Sequence, residues 1–305
     1  VTLFDRVGPA FDLDLAFGVG GVVGERGEAA IQRHRVDEHT WLLRQSLRVS
    51  YEAPIMYLLF GAHTALLLDT GATKDPVLFP LRATVDELVA EWLNSHPRDG
   101  YRLVVAHTHA HGDHVAADEQ FAGRPDTTVI GTDVAAVRDF FGLAPWPAGE
   151  AVLDLGERAL TVIPVPGHHR AHIAVHDPWT GFLLTGDTVY PGRLYVEDMP
   201  AYAESLGRLV TYAEGHPVSH VMGAHIEMSR RAGRDFPIGS RRRRCDEAPL
   251  PMTVEALSRV RDAAHTAATQ PGVHRHDGFA IWNGPCRWPA LAQYTRTLLG
   301  SLGRA

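Results

Sequence analysis

The 305-residue chain carries 29 Lys and Arg against 36 Asp and Glu, a formal net charge of −7 at pH 7, with 45% hydrophobic and 21% charged residues. These proportions are ordinary for a globular protein and weigh against a nuclease, which needs a basic surface for phosphate backbones, so no nucleic-acid partner is expected. No apolar run approaches the ~20 residues that span a bilayer, no basic start with an apolar stretch marks a signal peptide, and Cys245 and Cys286 make no disulfide framework, so a cytoplasmic chain without a membrane partner is expected.

Residues 1–35 are rich in Gly and show no clear period. The run from Gly18 to Gly24 lacks a preceding strand and reads as a flexible connection. Residues 40–49, 54–60 and 64–69 alternate as strands, with Gly61-Ala62-His63 as a hairpin turn. Val85, Leu88, Val89 and Trp92 give residues 84–95 a helical period that ends before Pro97. Residues 103–106 are a short buried strand, and residues 132–141 and 201–214 are further helices. Alternation of this kind suits a layered α/β fold. Beyond position 235 a helix is expected at 253–269, then a His- and Trp-containing stretch at 274–288, and a final helix near 289–302. Three roles are open to this tail: closing over the site, extending the core, or supporting a homodimer. The division expected is thus an N-terminal extension (1–35), a core (36–235) and a C-terminal extension (236–305).

The strand at 103–106 runs into Thr108-His109-Ala110-His111-Gly112-Asp113-His114, four metal-binding side chains in six positions, with Gly112 expected to let the chain turn sharply. Ligands at the end of a buried strand are held rigidly. Imidazoles and a carboxylate without thiolate suit zinc or another first-row metal. His109 and His111 alternate and can point one way, while Asp113 and His114 follow the turn and can face a second ion. Two ions need further donors, and three apolar runs end in candidates: Pro166-Gly167-His168, Gly186-Asp187-Thr188 and Gly223-Ala224-His225.

In this combination, residues 57–229 resemble the metallo-β-lactamase-fold hydrolases, in pattern nearest to the hydroxyacylglutathione hydrolase-like branch. The resemblance implies an αβ/βα four-layer sandwich, here with a C-terminal helical extension, and metals in the cleft between its sheets. It assigns His109, His111 and His168 to one ion, Asp113, His114 and His225 to a second, and Asp187 to both. Leu66-Leu67-Leu68-Asp69-Thr70-Gly71 matches an early strand and turn whose Asp supports the metal loop. It also marks His172 as a hydrogen-bond donor to substrate or ligand, Tyr190 as an oxyanion donor, and Arg193 and Tyr195 as substrate contacts.

The expected cofactor is two Zn2+, with iron or manganese compatible with the same donors. A hydroxide shared by two ions is a nucleophile at neutral pH, and Asp113 would orient it. No G-x-S-x-G elbow supplies a protein nucleophile. The leading expectation is hydrolysis of a small-molecule thioester, ester or lactone. The alternatives are a single-iron oxidoreductase of the persulfide dioxygenase kind and a lactam hydrolase. The basic run at 241–244 reads as a solvated loop or as an anchor for an anionic group, and His274 and His276 read as surface residues.

Overall fold

The computed structural model describes residues 27–284. The first sheet takes its strands in chain order: β1 (Ile31–Asp37), β2 (Thr40–Gln45), β3 (Ile55–Phe60), β4 (Thr64–Leu68), β5 (Arg102–Ala106) and β6 (Thr127–Val129). Neighbours are antiparallel from β1 to β4 and parallel from β4 to β6. The parallel steps need crossovers, which α1 (Leu81–Ser95) and the short α2 (Gly112–Val115) help to supply.

After α3 (Val134–Phe141) comes the second sheet, in the order β13-β12-β10-β9-β8-β7. Its strands are β7 (Ala151–Asp154), β8 (Ala159–Pro164), β9 (Ile173–Asp177), β10 (Phe182–Gly186), β12 (His220–Gly223) and β13 (Pro251–Met252). Strand β11 (Arg193–Val196) leaves that sheet and pairs in parallel with β15 (Ala280–Asn283), which also pairs with β14 (Gly272–Arg275). Helices α4 (Met199–Gly215) and α5 (Val254–Ala267) begin on side-chain caps, Asp198 and Thr253 accepting the N–H groups of Ala201 and Ala256.

Strands buried on both faces read as unbroken apolar runs, and the alternation within them sorts the core into layers. In β3, Tyr57 and Leu59 face inward against Leu160, Val175 and Leu184 of the second sheet. Met56, Leu58 and Phe60 face outward against Val85, Leu88 and Trp92 of α1. On the far side, Ile163, Ala174, Leu183 and Val221 pack under Leu206 and Leu209 of α4 and Leu257 and Val260 of α5. The result is helix, sheet, sheet, helix. Each fully buried Leu or Val in these layers contributes about 1.5–3 kcal/mol.

Three element boundaries depart from the sequence expectation. Strand β1 starts inside the expected N-terminal extension, and only the solvent-facing Arg33 and Arg35 that interrupt it disguised it. The strand expected at 40–49 stops at Gln45, because Val49 and Ser50 both turn back to the Ser46 carbonyl. Helix α1 begins at Leu81, directly after Pro80. Residues beyond 235 are built into the layers: β13 extends the second sheet, α5 packs beside α4, and Glu247 forms a bidentate ion pair with buried Arg44 at 2.7 and 2.8 Å. The expected final helix, the Gly18 to Gly24 run and Cys286 lie outside the described residues.

Candidate metal centre

All the candidate donors sit where strands of the two sheets end at one edge of the sandwich. The His109 loop follows β5, the His168 loop follows β8, Asp187 follows β10 and His225 follows β12. Backbone bonds lock these exits together: Ile173 N–H donates to the Thr108 carbonyl at 2.9 Å, and Ala224 N–H to the Gly186 carbonyl at 3.0 Å. Gly186 has φ +49°, and a Cβ there would lie 2.6 Å from Thr108 Cβ. At Gly167, φ is +138° and a Cβ would lie 2.3 Å from Tyr202 Cα of α4. Only glycine permits either approach. Gly112, by contrast, opens the first turn of α2, and a Cβ there would meet nothing, so the sharp turn expected of it is not what this position needs.

The donors form two groups. His109 Nε2, His111 Nδ1 and His168 Nε2 make a triangle with sides of 3.0, 3.0 and 3.1 Å. In the second group His225 Nε2 lies 3.4 Å from His114 Nε2 and 3.2 Å from Asp113 Oδ2. Asp187 joins the two. Its Oδ1 is 3.3 Å from His225 Nε2 and 3.5 Å from His114 Nε2, while its Oδ2 is 3.6 Å from His168 Nε2.

The charges follow from this packing. Burial holds the His109 and His168 imidazoles below their ordinary pKa, which keeps them neutral. Burial also opposes charge on His225, but Asp187 and Asp113 outweigh it and push that ring up to about 9. Burial likewise disfavours charge on Asp113 and Asp187, yet the adjacent His114 and His225 hold both carboxyls well below the usual range. A polarised cluster of this kind is typical of functional sites.

A family model described as the metallo-beta-lactamase superfamily matches residues 55–221. The chain belongs to the metallo-beta-lactamase superfamily. Hydroxyacylglutathione hydrolase of Synechococcus sp. (strain JA-3-3Ab) is 34% identical over 139 residues, 45% of this chain and 49% of that protein. Acyl-coenzyme A thioesterase MBLAC2 of Gallus gallus is 35% identical over 81 residues, 25% and 29% of the two chains. The chain thus spans about half the length of the Synechococcus relative and less of the Gallus one. Among solved structures, the metallo beta lactamase of Erythrobacter litoralis superposes with a TM-score of 0.51 at 16% identity, over 78% of this chain and 98% of that one. DIM-1 metallo-beta-lactamase gives 0.52 at 15% identity over 78% and 98%, which establishes the shared metallo-beta-lactamase fold.

The residues present fit the metal ions that this superfamily implies. Each histidine of the two groups has its remote nitrogen engaged. His114 Nδ1 donates to Asp69 at 2.9 Å, His168 Nδ1 to the Tyr195 carbonyl at 2.7 Å, and His225 Nδ1 to the Glu52 carbonyl at 3.0 Å. His109 Nδ1 meets Thr108 Oγ1 at 3.1 Å, and His111 Nε2 meets Glu197 at 3.3 Å. These bonds fix the remote nitrogens as the protonated ones, so each of the five rings, once neutral, turns its lone pair into the cluster. The first triangle places its nitrogens about 2 Å from a common point just off their plane, which is the Zn–N bond length. Asp187 Oδ1 is buried with no hydrogen-bond partner among the described residues, as an oxygen kept for a cation would be.

The other residues singled out from the sequence take different places. Tyr190 lines the cleft beside the donors but is only 1% exposed, and in this structure its hydroxyl donates to the Arg193 carbonyl. Arg193 is committed elsewhere. Its guanidinium pairs with Glu227 and with Asp235 at 3.1 Å, and donates to the Phe236 carbonyl and the Tyr195 hydroxyl. At 3% exposure it holds the wall of the cleft together rather than waiting for a substrate anion. His172 lies fully buried behind the donors, stacked on His109 at 4.7 Å, and its Nε2 accepts the Asp187 N–H at 3.2 Å. It positions ligands instead of meeting substrate.

Tyr195 lines the cleft too, together with Tyr51, Glu52, Glu227, Ile238 and Trp282, none of these last five legible as a site residue beforehand. The basic run splits. Arg244 turns inward to Glu247 at 3.0 Å and the Ile226 carbonyl at 2.8 Å, while Arg241, Arg242 and Arg243 are exposed. His274 is held by the Gln270 carbonyl at 2.7 Å, away from the donors. Among the described residues no helix is long and apolar enough to cross a membrane.

Proposed function

We propose that the chain is a dinuclear metal-dependent hydrolase that cleaves a small-molecule thioester, ester or lactone. The observation carrying this reading is Asp187, whose two oxygens face different donor groups. One carboxylate reaching into both groups supports a pair of adjacent ions rather than the single iron of the oxidoreductase alternative. The names of two relatives, a hydroxyacylglutathione hydrolase and an acyl-coenzyme A thioesterase, point to the same bond class.

When bound, the two ions would supply a Lewis acid for the carbonyl oxygen and an activated water as nucleophile. The chain's own residues do the rest. Asp113, held against His225, presents a carboxylate at the cleft where it can orient that water by accepting its hydrogen bond. His172 and Asp69 keep Asp187 and His114 in place from behind. Tyr195, Ile238 and Trp282 line the mouth and exclude solvent from one side. Zinc is the ion these donors suit best, with iron and manganese able to occupy the same set.

The test is metal content of the freshly purified protein together with a thioester, lactone and lactam panel. About two zinc per chain with chelator-sensitive thioester or lactone hydrolysis supports the reading. One iron per chain with oxygen uptake and no hydrolysis would move the protein to the oxidoreductase class.

A further inference from the structure

Building on the hydrolase reading, we propose that the leaving group of the substrate ends in phosphates, and that this end docks outside the metal cleft on an arginine rim formed by Arg241 and Arg242.

The charge on this rim runs against the rest of the chain. Between positions 230 and 243 the protein exposes Arg230, Arg231, Arg234, Arg241, Arg242 and Arg243, although its net charge is −7. Surfaces ordinarily intersperse the two signs, and a single-sign field is the device that steers a charged ligand.

The rim arginines are also unmet. The buried Arg44, Arg158, Arg193 and Arg244 each hold a carboxylate. Nearer the surface, Arg33, Arg124 and Arg138 still find Glu87, Asp86 and Asp139. Arg241 instead bonds the Arg48 carbonyl at 3.4 Å, and Arg242 contributes its backbone N–H to Ser240 Oγ at 3.3 Å. Neither side chain meets a carboxylate among the described residues. One carboxylate would satisfy one guanidinium. Two adjacent guanidinium groups left open suit a ligand with two or more negative charges, which phosphate supplies with matching fork geometry.

The rim stands at the mouth of the cleft. Ile238 lines the cavity, and the Pro237 carbonyl accepts the Ser240 N–H at 3.2 Å, a tight turn whose ends lie within about 7 Å. At most about 10 Å of chain therefore separates Ile238 from Arg241. On the other side Arg48 is three residues ahead of Tyr51, which also lines the cavity, so the Arg241 bond ties together two loops that both reach the site. The cavity itself, about 340 Å³, is at the small end for ligand sites and has no Lys or Arg among the described residues that line it. It holds an acyl group and the bond to be cleaved. An ionised end finds its partners outside, at the far end of a flexible arm.

The experiment uses the metal-loaded full chain and two thioesters of one acyl group that share the same arm, one of pantetheine and one of coenzyme A. Expected is a kcat/KM about tenfold higher for the coenzyme A thioester, carried by a lower KM. Raising ionic strength from about 50 to 300 mM should erase most of that preference, because the pairs are exposed. The double variant Arg241→Glu, Arg242→Glu should bring the two substrates to parity, with a thermal melt to show that it folds. Equal kcat/KM for both thioesters in the wild type at low salt, or a preference that survives the double variant, overturns the proposal.

Calorimetric titration with adenosine 3′,5′-bisphosphate gives a readout free of turnover, and the double variant should bind it about tenfold more weakly. That binding pattern with no hydrolysis of either thioester would sink the hydrolase reading and leave the rim standing. Equal hydrolysis of both thioesters with no difference in bisphosphate binding would sink the rim alone. Tighter binding of a single-stranded oligonucleotide through the same arginines would assign the rim to nucleic acid and overturn the proposal.

Discussion

Asp69 grips His114 from outside the donor cluster: its Oδ2 lies 2.9 Å from His114 Nδ1, while its Oδ1 accepts the Thr108 N–H at 2.7 Å. One carboxylate therefore fixes both the loop that carries four donors and the ring of one of them. It does so from a left-handed backbone, φ 71°, which costs a non-glycine residue about 1–3 kcal/mol. The carboxylate bonds are what hold it there. Asp69→Asn keeps the shape but only one acceptor oxygen, and should weaken zinc binding about 10- to 100-fold. Competition against a coloured chelator reads this directly, and unchanged affinity would remove Asp69 from the metal machinery.

Asp187→Asn tests the bridge. The amide cannot present negative charge to both donor groups, so zinc content should fall from about two per chain to one or less, with hydrolysis reduced at least ~100-fold. Elemental analysis of the purified variant beside its thioester kinetics makes the comparison. Two retained ions with full activity would leave the dinuclear reading without its main support.

Arg193→Leu separates scaffolding from substrate binding. Removing the guanidinium leaves Glu227 and Asp235 without their buried partner, a loss of about 3–5 kcal/mol and roughly ten degrees of melting temperature. A thermal melt at several protein concentrations measures it. A substrate-contact role would appear instead as a raised KM at an unchanged melting temperature.

Asp177 sets an acid limit on stability. Burial alone would raise its carboxyl pKa, but Arg158 at 2.5 Å and the Thr180 hydroxyl at 2.6 Å hold it below the ordinary value. A depressed folded pKa gives stability that is present above about pH 4 and drains away as pH falls through the folded value. Wild type should therefore exceed Asp177→Asn by a few kcal/mol at pH 7, with the gap shrinking below about pH 4. Urea unfolding across that range gives the slope, and a gap independent of pH would contradict the assignment.

The donors were legible because their signals are local. Each lies within a few residues of a strand end and beside a small residue, so His109, His111, His168, Asp187 and His225 announce themselves without knowledge of the fold. The wall of the cleft was not legible. Glu52 stands in a loop with no pattern around it, and Trp282 reaches the site because β15 pairs with β11, a register no local sequence feature encodes, with Ile238 packed against it. Arg193 sits at the expected spacing after Asp187, yet spacing says nothing of the neighbours that neutralise it. Glu227 and Asp235 come from the segment after β12, and their arrival turned a substrate cation into a brace. Strand β1 escaped for a simpler reason: one face of it meets water, so its apolar content is too low to stand out.

Tyr195 divides its labour between main chain and side chain. Its carbonyl accepts the His168 Nδ1–H, while its ring forms part of the substrate wall beside Trp282. The carbonyl survives any substitution that keeps the strand, and the ring does not. Variation at this position can therefore retune which molecules enter without disturbing the imidazole behind it. The same holds for Trp282 on β15, which lines the cleft but supplies no donor to the metal groups. The metal donors and the residues of the wall are encoded in separable parts of the chain, and the wall can be exchanged without touching the donors.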